Sequence, residues 1–368
     1  MNSCAVIMAG GSGTRLWPLS RRSRPKQLLR IVEGRSLIYK TYERLNAVFS
    51  PSDIYVIALA EHLPAIADEL PALPLENLIG EPTGRDTANA IALAAAILHK
   101  KNPDTIMSVF TADHLIRPTD TFVEVIRRGF ATVEENADAL VTFGIKPTEP
   151  HIGLGYIERG EPDMPGVWTV KSFKEKPDLD TARQYVASGD YYWNSGMFVW
   201  RTEAILNQLR QHLSASHGAA LKIADVWHSE SGETGLETSR LAGPTLAGEL
   251  YPSLEKISID FAVMEKAPKV LVVEMALDWL DVGNWTALPA VLGADSFGNT
   301  KALKRAAGLS SNNNIFVAED DHLIAAIGVK DLVVVHSADA TLICHRDQVQ
   351  QIKELVAQLD QEYDGHYT

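Results

Sequence analysis

Between Gly10 and Lys26 the chain carries Gly10, Gly11 and Gly13, three glycines in four positions, followed by Thr14, Arg15 and, after Pro25, Lys26. Glycines so spaced allow positive φ and let backbone N–H groups approach an anion closely. Arg15 adds a planar fork of donors for phosphate oxygens, and Lys26 a compact positive charge. Such a set can grip the phosphates of a nucleoside triphosphate. A plain strand-to-helix turn also uses glycine, but here the glycines, the arginine and the lysine share one loop. Two other phosphate loops are excluded: there is no G-x-x-x-x-G-K-[ST], and no G-x-G-x-x-G at this strand. The histidines form no HExxH pair, and no Gly-x-Ser-x-Gly elbow marks a serine hydrolase.

Elements that could hold this loop are legible in the apolar periodicity. Cys4–Ala9 reads as a buried strand directly before it. Ser36–Phe49 reads as an amphipathic helix, Asp53–Leu59 as a strand, Asp86–Lys100 as an alanine-rich helix, and Ile106–Phe110 as a strand. Thr119–Asn136 follows as a helix and Ala139–Ile145 as a strand. This alternation predicts a parallel sheet with helices on both faces, and ligands in such sheets bind beyond the carboxyl ends of the strands. That rule puts Gly10–Lys26, Thr111–His114 and the loop before Asp86 on one rim. Val167–Phe173, Gly196–Trp200 and Lys269–Met275 read as further strands, a helical tract starts at Thr202, and Ser258–Lys266 reads as a helix. Ser229–Gly248, rich in Ser, Gly and Glu, reads as a loop or insertion. After about Leu292 short β-prone runs recur (Ile315–Ala318, Leu323–Ile327, Leu332–His336, Thr341–His345), as in a small β-solenoid, and Asp347–Tyr363 reads as a terminal helix. The expected domains are 1–291 and 292–368.

The 368 residues, 46% hydrophobic and 22% charged, suffice for a large core and a small second one. A net charge of −13 repels nucleic acid and anionic membranes unless a local patch reverses the field, so the useful cations belong in a cleft. The two cysteines, Cys4 and Cys344, suit neither a disulfide scaffold nor a metal site. With no apolar run near membrane-spanning length, the expectation is a cytoplasmic protein with neither nucleic-acid nor membrane partners.

The segment GGSGTRLWPLSRRSRPKQLL resembles the leading motif of the sugar-1-phosphate nucleotidyltransferases, and its LWPLS…PKQ variant resembles that of the mannose-1-phosphate guanylyltransferases. The resemblance continues in order through EPTGRDTANAIALAA, TADHLI, GLGYI, FKEKPD, WNSGMFVW, SIDFAVMEK and WLDVGNW. It implies an α/β fold: a Rossmann-like nucleotidyltransferase domain on a mixed or parallel sheet, then a small C-terminal left-handed β-helix-like domain. It also implies transfer of GMP from GTP to α-D-mannose 1-phosphate, with Mg²⁺ as cofactor, and a homodimer. Use of glucose 1-phosphate or a heptose phosphate is the alternative within the class. A nucleotide-sugar-dependent glycosyltransferase would carry Asp-x-Asp where this chain has Thr111-Ala112-Asp113-His114.

Asp113 follows a strand on the ligand rim, where a carboxylate can hold Mg²⁺ or simply make a turn. Asp281, in WLDVGNW, is the second metal carboxylate by resemblance, or else a turn residue before Gly283. His114 reads as structural. Guanine offers N1–H and N2–H₂ donors side by side, and Glu81 is the candidate acceptor; a surface charge is the alternative. Arg85 is a phosphate or loop-bracing donor. Gly155 belongs to the implied sugar loop. Glu175 would accept from sugar hydroxyls and Lys176 hold the sugar phosphate, although Glu-Lys-Pro is also a common exposed corner. Asn194 can donate to and accept from a hydroxyl, or form an Asx turn. Asp260 and Glu265 read as helix-face charges without a role. Asp86 and Asn89, where the family motif usually has Asn and Pro, and Thr111, where it has Pro, bear on nucleotide preference rather than on reaction class.

Overall fold

The first apolar run, expected over Cys4–Ala9, gives the strand Ser3–Met8, which is buried or half-buried throughout. In the computed structural model, which describes residues 2–11, 13–230 and 245–368, the chain forms two compact units. The first comprises Met1–Gly10, Tyr42–Thr111 and Ile116–Trp279, and the second Gly11–Thr41, Ala112–Leu115 and Leu280–Thr368.

A nine-stranded sheet organises the first unit, in the order Leu78–Glu81, Ile54–Leu59, Ser3–Met8, Ile106–Thr111, Tyr191–Arg201, Leu140–Ile145, Val270–Met275, Val167–Lys174, Tyr156–Met164. The first four strands are parallel, as strand–helix alternation predicts. A purely parallel sheet is not formed, because Tyr191–Arg201 enters antiparallel between Ile106–Thr111 and Leu140–Ile145. This strand also starts before the expected Gly196. Gly196 takes φ 65°, and the ladder shifts register beside it between Thr142 and Gly144, so the polar Asn194-Ser195 pair stays within the strand.

Helices cover both faces of this sheet. Phe198 and Trp200 lie in one core with the helix Asp86–Lys101, whose residues Ala88–Leu98 are all buried. A helix apolar all round is a buried helix, and its alanines let Thr202–His212 and Ser214–Glu230 pack closely. Val199, between Phe198 and Trp200, faces the other way and meets Gly129 of the helix Thr119–Glu135. A Cβ on Gly129 would stand 2.7 Å from the Phe143 ring, so a larger residue would push that helix off the sheet.

Several local expectations change. The helix expected over Ser36–Phe49 is Leu37–Leu45, and Ser258–Lys266 holds instead a π-helical turn, Asp260–Met264. Residues 231–244 of the expected loop lie outside the described residues, while Thr245–Leu250 is helical. The terminal helix divides into a 3₁₀ segment, Arg346–Gln351, and the α-helix Ile352–Glu362. Among the described residues, no helix is long and apolar enough to cross a membrane.

The second unit contains the solenoid. Thr300–Ala302, Ile315–Ala318 and Leu332–His336 pair in parallel, Thr341–His345 closes that sheet antiparallel, and Arg305–Leu309 pairs in parallel with Leu323–Ile327. Asn314 spans successive coils: its Oδ1 accepts from Leu332 N–H 18 residues on, at 2.9 Å, and its Nδ2 donates to Asn299 Oδ1 at 3.0 Å. Such an asparagine ladder satisfies the buried turn and holds the coils in register. The core of this unit joins distant parts of the sequence. Leu16, Trp17, Leu19, Leu29 and Ile31 of the glycine-loop segment pack with Val282, Trp285, Val317, Val333, Ile352 and Val356.

Candidate active site

In the second unit, Lys26 opens a 3₁₀ turn after the extended Pro25. Its buried ammonium donates to Asp113 Oδ2 at 2.7 Å and to Asp281 Oδ1 at 3.1 Å. Two short strands bring those carboxylates together. His114–Arg117 pairs with Asp278–Asp281, and Val282 N–H donates to the Asp113 carbonyl at 3.4 Å. Gly13, at φ 60°, explains the glycine needed ahead of the lysine: a Cβ there would lie 2.3 Å from Lys26 Cβ. Burial works against both charges, but the ion pair outweighs it. It raises the Lys26 pKa, and with His114 it holds the Asp113 carboxyl down at about 2.

Ligand atoms of Asp113, His114 and Asp281 all lie within 4.8 Å of one another. Two carboxylates facing one point suit a hard divalent cation such as Mg²⁺, whereas an imidazole nitrogen does not. The pair Asp113 and Asp281 therefore fits the ion, and His114 is not needed for it.

The remaining cations of the opening motif divide sharply. Arg15, in the single 3₁₀ turn Thr14–Leu16, is exposed and makes no ion pair among the described residues. Gly10 and Gly11 have open space where a Cβ would stand. Arg21 instead pairs with Asp339 at 2.7 Å and donates to the Tyr367 carbonyl, which also accepts from Trp17 Nε1 at 2.7 Å. Arg22 spans both oxygens of Asp360 at 2.7 Å, and Arg24 pairs with Glu319. These three arginines tie the loop to the C-terminal segment, which leaves Arg15 open to an anion while Lys26 is held by the two carboxylates.

The first unit gathers a second group. Asn194 N–H donates to the Gly155 carbonyl at 2.8 Å, and a Cβ on Gly155 would stand 3.0 Å from Glu175 Oε2. Lys176, at φ 40°, is largely exposed and pairs with Glu175. Asn194 does form an Asx turn, Oδ1 accepting from Gly196 N–H at 3.1 Å, yet its Nδ2 donates to Asp260 Oδ1 at 2.8 Å. Asp260 is thus no mere helix-face charge. Loss of solvent pushes its carboxyl up to about 6, opposed by the Asn194 bond and reinforced by Glu175 and Glu265. The helical pattern gave no sign of this, because π-helical winding turns Asp260 off the expected face.

Glu81 and Arg85 lie elsewhere in this unit. Arg85 donates to the Pro252 carbonyl, and Asn89 Nδ2 to the Arg85 and Glu255 carbonyls at 2.8 and 2.7 Å. Asn89 thereby braces the start of its helix. Glu81 is 6% exposed and accepts from the Tyr251 hydroxyl at 2.5 Å. Burial pushes its carboxyl from 4.5 up to about 7, against the Tyr251 bond, with Asp86 adding to the rise. The folded protein therefore keeps a proton that the unfolded chain releases as pH rises. The associated stability is complete below the unfolded pKa and is lost as pH rises through about 7. From about pH 4.5 to about pH 8 the native chain should lose on the order of 3 kcal/mol that a Glu81→Gln variant retains. Urea unfolding of both proteins at the two pH values measures this; equal losses in both would remove Glu81 as the source.

Comparison with known proteins gives two family matches. The nucleotidyl transferase family covers residues 4–296, and the MannoseP isomerase/GMP-like beta-helix domain covers residues 304–359. A Klebsiella pneumoniae protein named mannose-1-phosphate guanylyltransferase is 38% identical over 98% of this chain and 75% of its own length. The xanthan biosynthesis protein XanB of Xanthomonas campestris is 40% identical over 96% of this chain and 72% of its own. A crystal structure from Thermus thermophilus, named as a mannose-1-phosphate geranyltransferase, superposes with a TM-score of 0.85 at 32% identity, covering 98% of this chain and all of that one.

Proposed function

This chain belongs to the nucleotidyl transferase family, and from that premise we propose that it transfers GMP from GTP to α-D-mannose 1-phosphate, releasing diphosphate and forming GDP-mannose. A phosphate oxygen of the sugar phosphate attacks the α-phosphorus of GTP in line as diphosphate leaves. The nucleophile is already an anion near neutral pH, so no general base is required. The site must supply positioning and charge neutralisation.

The observation that carries this proposal is the Lys26 ammonium set against Asp113 and Asp281 in a loop of exposed glycines. Gly10, Gly11, Gly13 and Thr14 would line the triphosphate, with Arg15 and Lys26 neutralising it. Asp113 and Asp281 would hold Mg²⁺, which would screen phosphate charge. Lys176 would hold the incoming phosphate, while Glu175, Asn194 and the Gly155 backbone bind sugar hydroxyls. Glu81 would accept from guanine only in exchange for its buried bond from the Tyr251 hydroxyl, and Arg85 would brace the nucleotide loop.

In this proposal residues 1–291 form the catalytic domain and 292–368 the β-helix-like domain. Two copies associate as a homodimer in the cytoplasm, where both cysteines stay as free thiols. A sedimentation profile of monomer alone at micromolar concentration would remove the dimer. The test of the reaction is diphosphate release with Mg²⁺, each of four nucleoside triphosphates and a panel of sugar 1-phosphates. Turnover with GTP and mannose 1-phosphate above all other pairs is expected; preference for another pair overturns the substrate assignment.

A further inference from the structure

Lys26 stands where two demands meet. Its ammonium lies 2.7 Å from Asp113 Oδ2 and 3.1 Å from Asp281 Oδ1, the two carboxylates suited to a divalent cation. An ion such as Mg²⁺ bonds carboxylate oxygens at about 2.1 Å and carries twice the ammonium charge, so both cations cannot keep the same oxygens. The pivot for exchange is also defined. The Gly13 backbone sits so close to Lys26 Cβ that a side chain at position 13 could not fit. The backbone of Lys26 is thus held, while its four-carbon stem can rotate.

We infer that Lys26 is an internal competitor for the metal: its ammonium occupies the Asp113–Asp281 pair until a divalent cation displaces it and turns it towards the anionic substrate. This rests on the proposed metal role of those two aspartates. Two neighbouring half-buried carboxylates repel one another unless a cation lies between them, and Lys26 supplies that cation within the chain. Free metal must expel a bound ammonium and leave it without a partner. Metal arriving on a nucleoside triphosphate brings phosphate oxygens that receive the displaced ammonium. The arrangement therefore disfavours free metal and favours the metal–nucleotide complex.

The experiment titrates the full chain with Mn²⁺ alone, without nucleotide, and reads bound ion by electron paramagnetic resonance. Lys26→Met should bind Mn²⁺ about tenfold tighter than the native chain, since it removes the competing charge. Lys26→Arg keeps a cation there and should bind it as weakly as the native chain. Equal or weaker binding by Lys26→Met overturns the inference. A second measurement needs no variant: acetylation of Lys26 in the native chain, followed by peptide mass, should rise several-fold when Mn²⁺ is added. Unchanged or reduced labelling also overturns it. Diphosphate release by the same native preparation reports separately on the proposed reaction. An active enzyme without the Mn²⁺ effects loses only the competitor role, and an inactive one that shows them loses only the reaction.

Discussion

Lys26→Ala lowers turnover about a hundredfold or more at saturating Mg²⁺ while the protein stays folded. The expectation follows from what the reaction lacks. With an anionic nucleophile and no proton to move, acceleration depends on opposing the charge that shifts onto the leaving diphosphate. Removing one pre-positioned donor from such a transition state costs on the order of 3 kcal/mol, which is about a hundredfold in rate. Lys26 is the buried cation of the opening motif, and close packing against Gly13 fixes its Cα and Cβ. Steady-state diphosphate release gives the rate, and far-ultraviolet circular dichroism the fold. Turnover within about fivefold of the native chain would exclude Lys26 as the main electrostatic catalyst. Its loss should thus slow the reaction while tightening free metal, opposite effects that a general structural fault does not produce.

Trp285→Ala should destabilise the protein by about 3–5 kcal/mol, the usual range for truncating a fully buried tryptophan. Trp285 is fully buried, packs with Leu16, Trp17, Val282 and Leu288, and its indole N–H donates to the Trp17 carbonyl at 3.1 Å. Truncation would leave a cavity and take a donor from a buried carbonyl, which adds to the cost. The segment it supports leads into Arg21 and Lys26, so activity should fall with stability. The measurement is the urea midpoint at unchanged slope, with Trp285→Phe, which keeps most of the aromatic volume but not the N–H, as a control that loses less. A loss under about 1 kcal/mol for the alanine variant would mean that this tryptophan does not anchor the segment.

Local pattern made much of the fold readable. The helix Asp86–Lys101 and the strands Ser3–Met8 and Ile54–Leu59 are strongly periodic or continuously apolar, and they fall within a residue or so of expectation. Where the signal was mixed, expectation failed in understandable ways. Tyr191–Arg201 extends through Asn194 and Ser195 because it bulges at its own Gly196, four steps of this strand standing opposite two of Leu140–Ile145, an irregularity that regular alternation does not show. The coil strands Thr300–Ala302 and Arg305–Leu309 are short, with Lys301 and Gly308 inside them, and only pairing with later coils makes them strands. Asp260 resembled an exposed helical charge until a π-helical turn set it against Asn194.

By itself the sequence determined the class of chemistry: a glycine loop with Arg15 and Lys26, and carboxylates at Asp113 and Asp281 in motifs shared with nucleotidyltransferases. Residue type and local spacing suffice for that, because they specify which donors and charges exist. What only the tertiary structure decided is which of those charges are already engaged. Arg21, Arg22 and Arg24 sit in the same basic stretch as Lys26 but hold acids 318, 338 and 295 residues away. Lys26 instead meets Asp113 and Asp281, 87 and 255 residues distant. Periodicity in a sequence reports neighbours one or two turns apart, whereas an ion pair between remote segments depends on the path of the whole chain. A run of four similar cations thus became three structural ties and one lysine set between two carboxylates.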